Sequence, residues 1–249
     1  NAYTADMRFS KVPIEGLLSS AYVAKRQAFL DPERAVVNTT AGSPDTQSDT
    51  VYFCAVDGKG NGCSMINSNF MGFGTGIVPR GCGFSLQNRG AGFSSIESHP
   101  NALLPGKRPF HTIIPGLATK DGELWATFGV MGGFMQPQGH MQVLINMIDF
   151  GMDPQEALCA PRFCITSKPK KGKAGFAYHD EGESVVALEE GIAPEVAQAL
   201  KDKGHDILYP VSGHERSLFG RGQIIRRYPG TGLLCAGSDP RADGQAVVW

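Results

Sequence analysis

The sequence predicts an α+β fold in which packed sheets are covered by helices. Three observations point there. Two short apolar runs, Val51–Val56 and Gly62–Asn67, flank the turn Asp57-Gly58-Lys59-Gly60-Asn61, and Val, Tyr and Phe favour strands while Asp-Gly supplies hairpin chemistry. Beyond them the chain reads as strands, then helices, then strands again, the order expected of layered sheets and helices. A length of 249 residues with 41% hydrophobic and 19% charged residues is enough to bury a sizeable core.

Taken in order, apolar residues from Ile14 through Leu17, Leu18, Ala21, Tyr22, Ala24 and Ala28 suit an amphipathic helix over 14–29. Residues 31–49 are rich in Pro, Gly, Ser, Thr and Asp, and predict an exposed linker. Within it, Asn38-Thr39-Thr40 fits a glycosylation acceptor, a triplet common by chance. The linker stops at Thr50, where the first strand begins. After the second strand, Gly72-Phe73-Gly74-Thr75-Gly76 is a loop whose backbone can approach a ligand. Strands are expected at 83–88 and from His111 to Pro115, and Arg89 sits between them as a fixed cation in a glycine loop.

Asp121-Gly122 predicts a hairpin turn into a strand over Leu124–Val130, which runs into Gly132-Gly133 and then a helix over Pro137–Phe150. Consecutive glycine N–H groups ahead of a helix can bind an oxyanion; an unliganded tight turn is the other reading. Asp153 with Pro154 marks a helix start, and Ala193–Lys203 a helix closed by Gly204. Residues 168–175 form a short basic loop. Further strands are expected at His205–Tyr209, Gln223–Arg227 and Gly232–Gly237.

A net charge of -1 without a long basic run argues against nucleic acid or an anionic membrane as the main partner. There is no run of 18 apolar residues, so no membrane-spanning helix is expected. The chain begins with Asn1 and shows no targeting segment, which fixes no compartment. The six cysteines lack C-x-x-C spacing, so no structural metal is expected; Cys54 and Cys63, in apolar strands, read as buried thiols.

Several motifs together carry a resemblance. They are F-C-A-V-D-G-K-G-N directly after Thr50-Val51-Tyr52, then F-G-T-G-I-V, P-G-K-R-P, G-V-M-G-G, A-P-R-F and G-S-D-P-R. In this order and spacing the chain resembles the C-terminal portion of a γ-glutamyltransferase, in the N-terminal-nucleophile hydrolase superfamily. The opening A-D-M-R-F-S-K-V-P resembles the end of that family's large subunit. The resemblance implies the C-terminal part of a four-layer αββα sandwich. It implies that residues 1–49 end a large-subunit region and 50–249 form a small-subunit-like catalytic region, the rest of the large subunit being a missing partner. It also implies self-cleavage between Asp49 and Thr50.

The freed Thr50 would then carry both a hydroxyl nucleophile and an α-amine. That amine has a pKa near 8, closer to neutral than a lysine, and can take the hydroxyl proton. Ser68 matches the hydroxyl residue bonded to the nucleophile, and Gly132 and Gly133 match the oxyanion hole. No cofactor is implied. The expected reaction is transfer or hydrolysis of γ-glutamyl or related acyl amides, small-molecule substrates, with a glutaryl-type acylase or a catalytically silent fragment as alternatives.

Five positions depart from the family's pattern. Gly92 stands where an acidic residue holds the substrate α-amine, Arg89 where a polar residue stands, Phe70 where an asparagine stands, and His111-Thr112 where a Ser-Ser pair grips the α-carboxylate. An anion is lost and a cation gained, which predicts better tolerance of a plain dicarboxylic acyl group.

Overall fold

The computed structural model describes residues 4–28, 30–35, 48–167 and 184–249. The glycosylation triplet, the basic loop and most of the expected linker lie outside these residues.

The N-terminal helix is divided into α1 (Ile14–Leu18) and α2 (Ser20–Gln27). Ser19 breaks it: its backbone is extended, and its hydroxyl caps α2 by accepting from the Tyr22 amide. Neither helix buries a residue among those described.

The hairpin pairs β1 (Ser48–Val56) with β2 (Gly62–Met71), antiparallel. Both strands are longer than the sequence predicts. Thr50 is therefore the third residue of its strand rather than its first, and is fully buried. Alternation sends Thr50, Tyr52, Ile66 and Phe70 inward and leaves Val51, Phe53, Cys63 and Met65 exposed. Cys63 is thus on the outer face, not buried; Cys54 is partly buried, and all six cysteines are free thiols.

The hairpin packs on a second sheet of order β3-β4-β8-β9, comprising Gly116–Lys120, Glu123–Met131, Arg221–Arg227 and Leu234–Ser238. The other face of that sheet carries α3 (Met135–Ile148) and α4 (Pro154–Cys159). Ala126, Phe128 and Val130 of β4 meet Val143 and Met147 of α3, and Ala157 and Leu158 of α4, in the main core. The result is helix on sheet on sheet. Two close approaches bring the sheets together. A Cβ on Gly129 would stand 2.5 Å from the Tyr52 ring, and one on Gly62 would stand 2.9 Å from Leu124.

A third sheet, of β5 (Phe163–Ser167), β6 (Ser184–Glu189) and β7 (Ile207–Val211), packs on the start of α3 through Met135, Cys164, Ala187, Val211 and Phe219. Helix α5 (Pro194–Asp202) contacts β7, near the expected bounds. β5 and β6 were not foreseen. The strands expected at 83–88 and 111–115 are absent: both segments are irregular, held by loop and side-chain hydrogen bonds. Pro109 and Pro115 bracket the second and deny it ladder donors. α4 starts as foreseen, with Asp153 and Glu156 forming a reciprocal capping box.

Candidate active site

Thr50 pairs with Ser68 across the hairpin, and its hydroxyl donates to Ser68 Oγ at 3.0 Å. Ser68 Oγ also accepts from the Phe70 amide at 2.9 Å. That second bond accompanies a φ of 80° at Phe70, a left-handed conformation unusual for an aromatic residue. The ladder register shifts between Ser48 and Thr50, so the Asp49–Thr50 peptide sits at an irregularity in the strand.

The close approaches between the sheets fix where this end of the hairpin lies. Gly62, paired with Val56, sits over Leu124 and Thr127, whereas Tyr52 sits over Gly129. Going along β1 from Val56 towards Thr50 therefore tracks β4 towards Met131. Gly132 and Gly133 follow at that end, with φ of 140° and 60°. Their carbonyls accept from the Met135 and Gln136 amides at 3.1 Å each, starting α3. Among the described residues their N–H groups donate to no acceptor. A free pair of amides at the start of a 14-residue helix favours a negative oxygen.

A second arm reaches the same place through side chains. The Arg89 guanidinium lies 4.9 Å from the Phe70 ring centroid, and its Nη1 donates to Thr112 Oγ1. Arg89 is 7% exposed, and its Nη2 is buried with no hydrogen-bond partner among the described residues. Burial pushes its pKa below the ordinary value, and among the described residues no carboxylate acts in the opposite direction. The Thr112 carbonyl accepts from Gln136 Nε2 at 3.1 Å, and Gln136 Oε1 accepts from the Ile114 amide at 3.0 Å. Thr50, Ser68, Phe70, Arg89, Thr112, Gln136 and Gly133 thus form one continuous set of contacts.

His111 is exposed, beside this set rather than in it. Partial desolvation of its ring, then the charges of Arg89 and Arg108, lower its pKa and favour the neutral imidazole. At Gly92 an added Cβ would meet nothing within 4 Å, so the position where an acid was looked for is open. Gln136 escaped the sequence reading. A glutamine ahead of Pro137 looks like a solvated helix residue, and only tertiary structure reveals that it is 1% exposed.

Behind the glycine turn lies a buried ionic cluster. Arg162 Nη2 donates to Asp239 at 2.8 Å, and its Nη1 donates to the Phe219 carbonyl at 3.0 Å. Arg241 and Arg216 converge on Glu189. The cluster anchors Gly220, whose Cα would be 3.0 Å from a Cβ on Gly132. The A-P-R-F and G-S-D-P-R motifs therefore meet here as scaffold. No group of three or more His, Cys, Asp or Glu side chains suited to a metal occurs among the described residues.

The family model described as Gamma-glutamyltranspeptidase matches residues 1–249. The Glutathione hydrolase-like YwrD proenzyme of Bacillus subtilis is 35% identical over 99% of this chain and 44% of its own length. The Oxamate amidohydrolase proenzyme of Klebsiella pneumoniae is 32% identical over 100% of this chain and 44% of its own. Among solved structures, cephalosporin acylase from Bacillus halodurans superposes with a TM-score of 0.81 at 44% identity, covering 100% of this chain and 42% of that one. A gamma-glutamyltranspeptidase chain from Pseudomonas nitroreducens gives 0.61 at 26% identity, covering 80% of this chain and 98% of that one. The chain spans less than half the length of the curated relatives it matches. Its fold class is that of the N-terminal-nucleophile hydrolases, α+β, and the described residues supply the helix–sheet–sheet layers of the sandwich.

Proposed function

The chain belongs to the gamma-glutamyltranspeptidase family, and on that premise we propose that it is the catalytic part of a self-cleaving amidase or acyltransferase that works through a Thr50 acyl-enzyme. The observation that carries the reading is the Thr50–Ser68 hydroxyl pair, set at the end of the hairpin that tracks towards Gly132-Gly133.

The chemistry would run in two stages. Thr50 Oγ1 attacks the Asp49 carbonyl, and the acyl group moves from nitrogen to oxygen. That shift breaks the C–N bond and frees the Thr50 α-amine; water then hydrolyses the ester, releasing the Asp49 carboxylate and restoring the Thr50 hydroxyl. That amine next takes the hydroxyl proton as Oγ1 attacks the substrate amide. The developing oxyanion is held by the Gly132 and Gly133 N–H groups, and the leaving amine departs with a proton. Water or an amine resolves the acyl-enzyme. In this reading residues 1–49 end the large-subunit region and 50–249 are the small subunit; the near-complete match of a 98%-covered chain to 80% of this one supports the division. The outer face of the hairpin, with Val51 and Phe53 62% and 46% exposed, suits coverage by the upstream region.

The acyl group is proposed to be a dicarboxylic one, glutaryl-like, rather than strictly γ-glutamyl. The support is Arg89: a buried cation with a free Nη2, and no acid at position 92 to hold an α-ammonium. A cephalosporin acylase and an oxamate amidohydrolase among the relatives are consistent with amide substrates outside glutathione. In the full-length protein, Thr50→Ala should abolish both self-cleavage and turnover. The processed wild type should cleave a glutaryl anilide at least as fast as a γ-glutamyl anilide. Turnover by Thr50→Ala contradicts the nucleophile, and a strong γ-glutamyl preference contradicts the acyl group.

A further inference from the structure

We propose that Gln136 is a positioning residue that sets the distance between the substrate's carboxylate and its scissile carbonyl, so that the site selects acyl-chain length. The proposal rests on the Thr50 acyl-enzyme reading.

Gln136 stands on the first turn of α3, and its own amide donates to the Gly133 carbonyl at 3.1 Å. That end of the residue belongs to the glycine turn. Its side chain spans away from it and uses both polar atoms on another segment: Oε1 accepts from the Ile114 amide at 3.0 Å, and Nε2 donates to the Thr112 carbonyl at 3.1 Å. Residues 111–115 are irregular and hold no ladder bonds that would fix them otherwise. Thr112 in turn presents its hydroxyl to Arg89 Nη1. The free Nη2 of Arg89 is thereby held at a separation from the glycine amides that one buried glutamine determines.

A rigid two-point site of this kind discriminates by length. An acyl group with its carboxylate on the guanidinium can present its carbonyl to the amides only if the intervening methylenes fit. A shorter or longer one gives up one contact. Losing one charge-assisted bond is enough for a length preference of about tenfold or more. Without the two side-chain bonds of Gln136, the 111–115 segment can shift, and Arg89 can follow substrates of different length.

The test is a panel of succinyl, glutaryl, adipoyl and neutral pentanoyl anilides, read as kcat/KM on the processed full-length protein. Wild type should favour one dicarboxylic length over its neighbours by about tenfold and over the pentanoyl compound by more. Gln136→Met, which keeps volume and removes both bonds, should compress the length preference to within about threefold and raise KM for the favoured substrate more than it lowers kcat. Gln136→Glu is isosteric, keeps the acceptor for Ile114 and loses the donor to Thr112. It is read on the same panel and should compress the preference likewise. A length profile unchanged in either folded variant, or all four substrates reduced by one common factor, overturns the proposal. Thr50→Ala on the same panel separates the two claims: an active Thr50→Ala sinks the acyl-enzyme reading, whereas an inert one beside an unaltered Gln136 profile sinks only the ruler.

Discussion

Thr50 and Ser68 show how much one oxygen can be asked to do. Ser68 Oγ accepts from both the Thr50 hydroxyl and the Phe70 amide, so it orients the proposed nucleophile and ties down a residue at positive φ. Ser68→Ala removes both bonds at once. We expect kcat to fall on the order of 10²-fold, the usual scale for losing a group that orients proton transfer, with the protein still folded by circular dichroism. A variant with wild-type kcat would show that Ser68 serves only the backbone. Thr50, Ser68, Gly132 and Gly133 were named in the sequence through the resemblance, and Arg89 as a departure from it. Gln136 was not, since nothing local distinguishes a buried bridging glutamine from a solvated one.

At the scale of elements, glycine decides the architecture. Gly129 and Gly62 let the hairpin settle on β4, and that contact carries Thr50 towards the glycine turn. Helix α3 then closes the other face. Its His140 stacks edge-on against Phe128, ring centroids 5.4 Å apart, and burial pushes its pKa down to about 4. The unfolded chain takes this proton near 6.5, whereas the folded one resists it until about 4. The unfolded state is therefore favoured progressively as pH falls through that window, by on the order of 2–3 kcal/mol at its lower end. His140→Leu should flatten the fall in unfolding midpoint between pH 7 and pH 4.5; parallel curves for the two proteins would show that this ring does not couple to folding. Elements with strong local signals were readable: the hairpin, the Asp121-Gly122 turn and the capped start of α4. Residues 83–88 and 111–115 misled because their apolar composition imitates strands while their bonds go to loops and to Gln136.

For the whole molecule, the proposed mechanism makes activity depend on the order of assembly. The uncut chain runs as continuous strand through Ser48, Asp49 and Thr50, so no α-amine exists and the proposed base is absent. The buried cluster of Arg162, Asp239, Arg241 and Glu189 ties the third sheet, α4 and β8 together behind the glycine turn, so the scaffold stands before any cut. Layer order was readable from the succession of elements and from the resemblance. The proposed covering of the hairpin's outer face was not, because the chain spans under half of its relatives' length. The most direct measurement is intact-mass spectrometry of the full-length protein, mixed with a glutaryl anilide and quenched in acid. Two chains are expected, the smaller beginning at Thr50 and carrying one glutaryl group on that residue. A glutaryl adduct on a single uncut chain, or on any residue other than Thr50, would contradict the account.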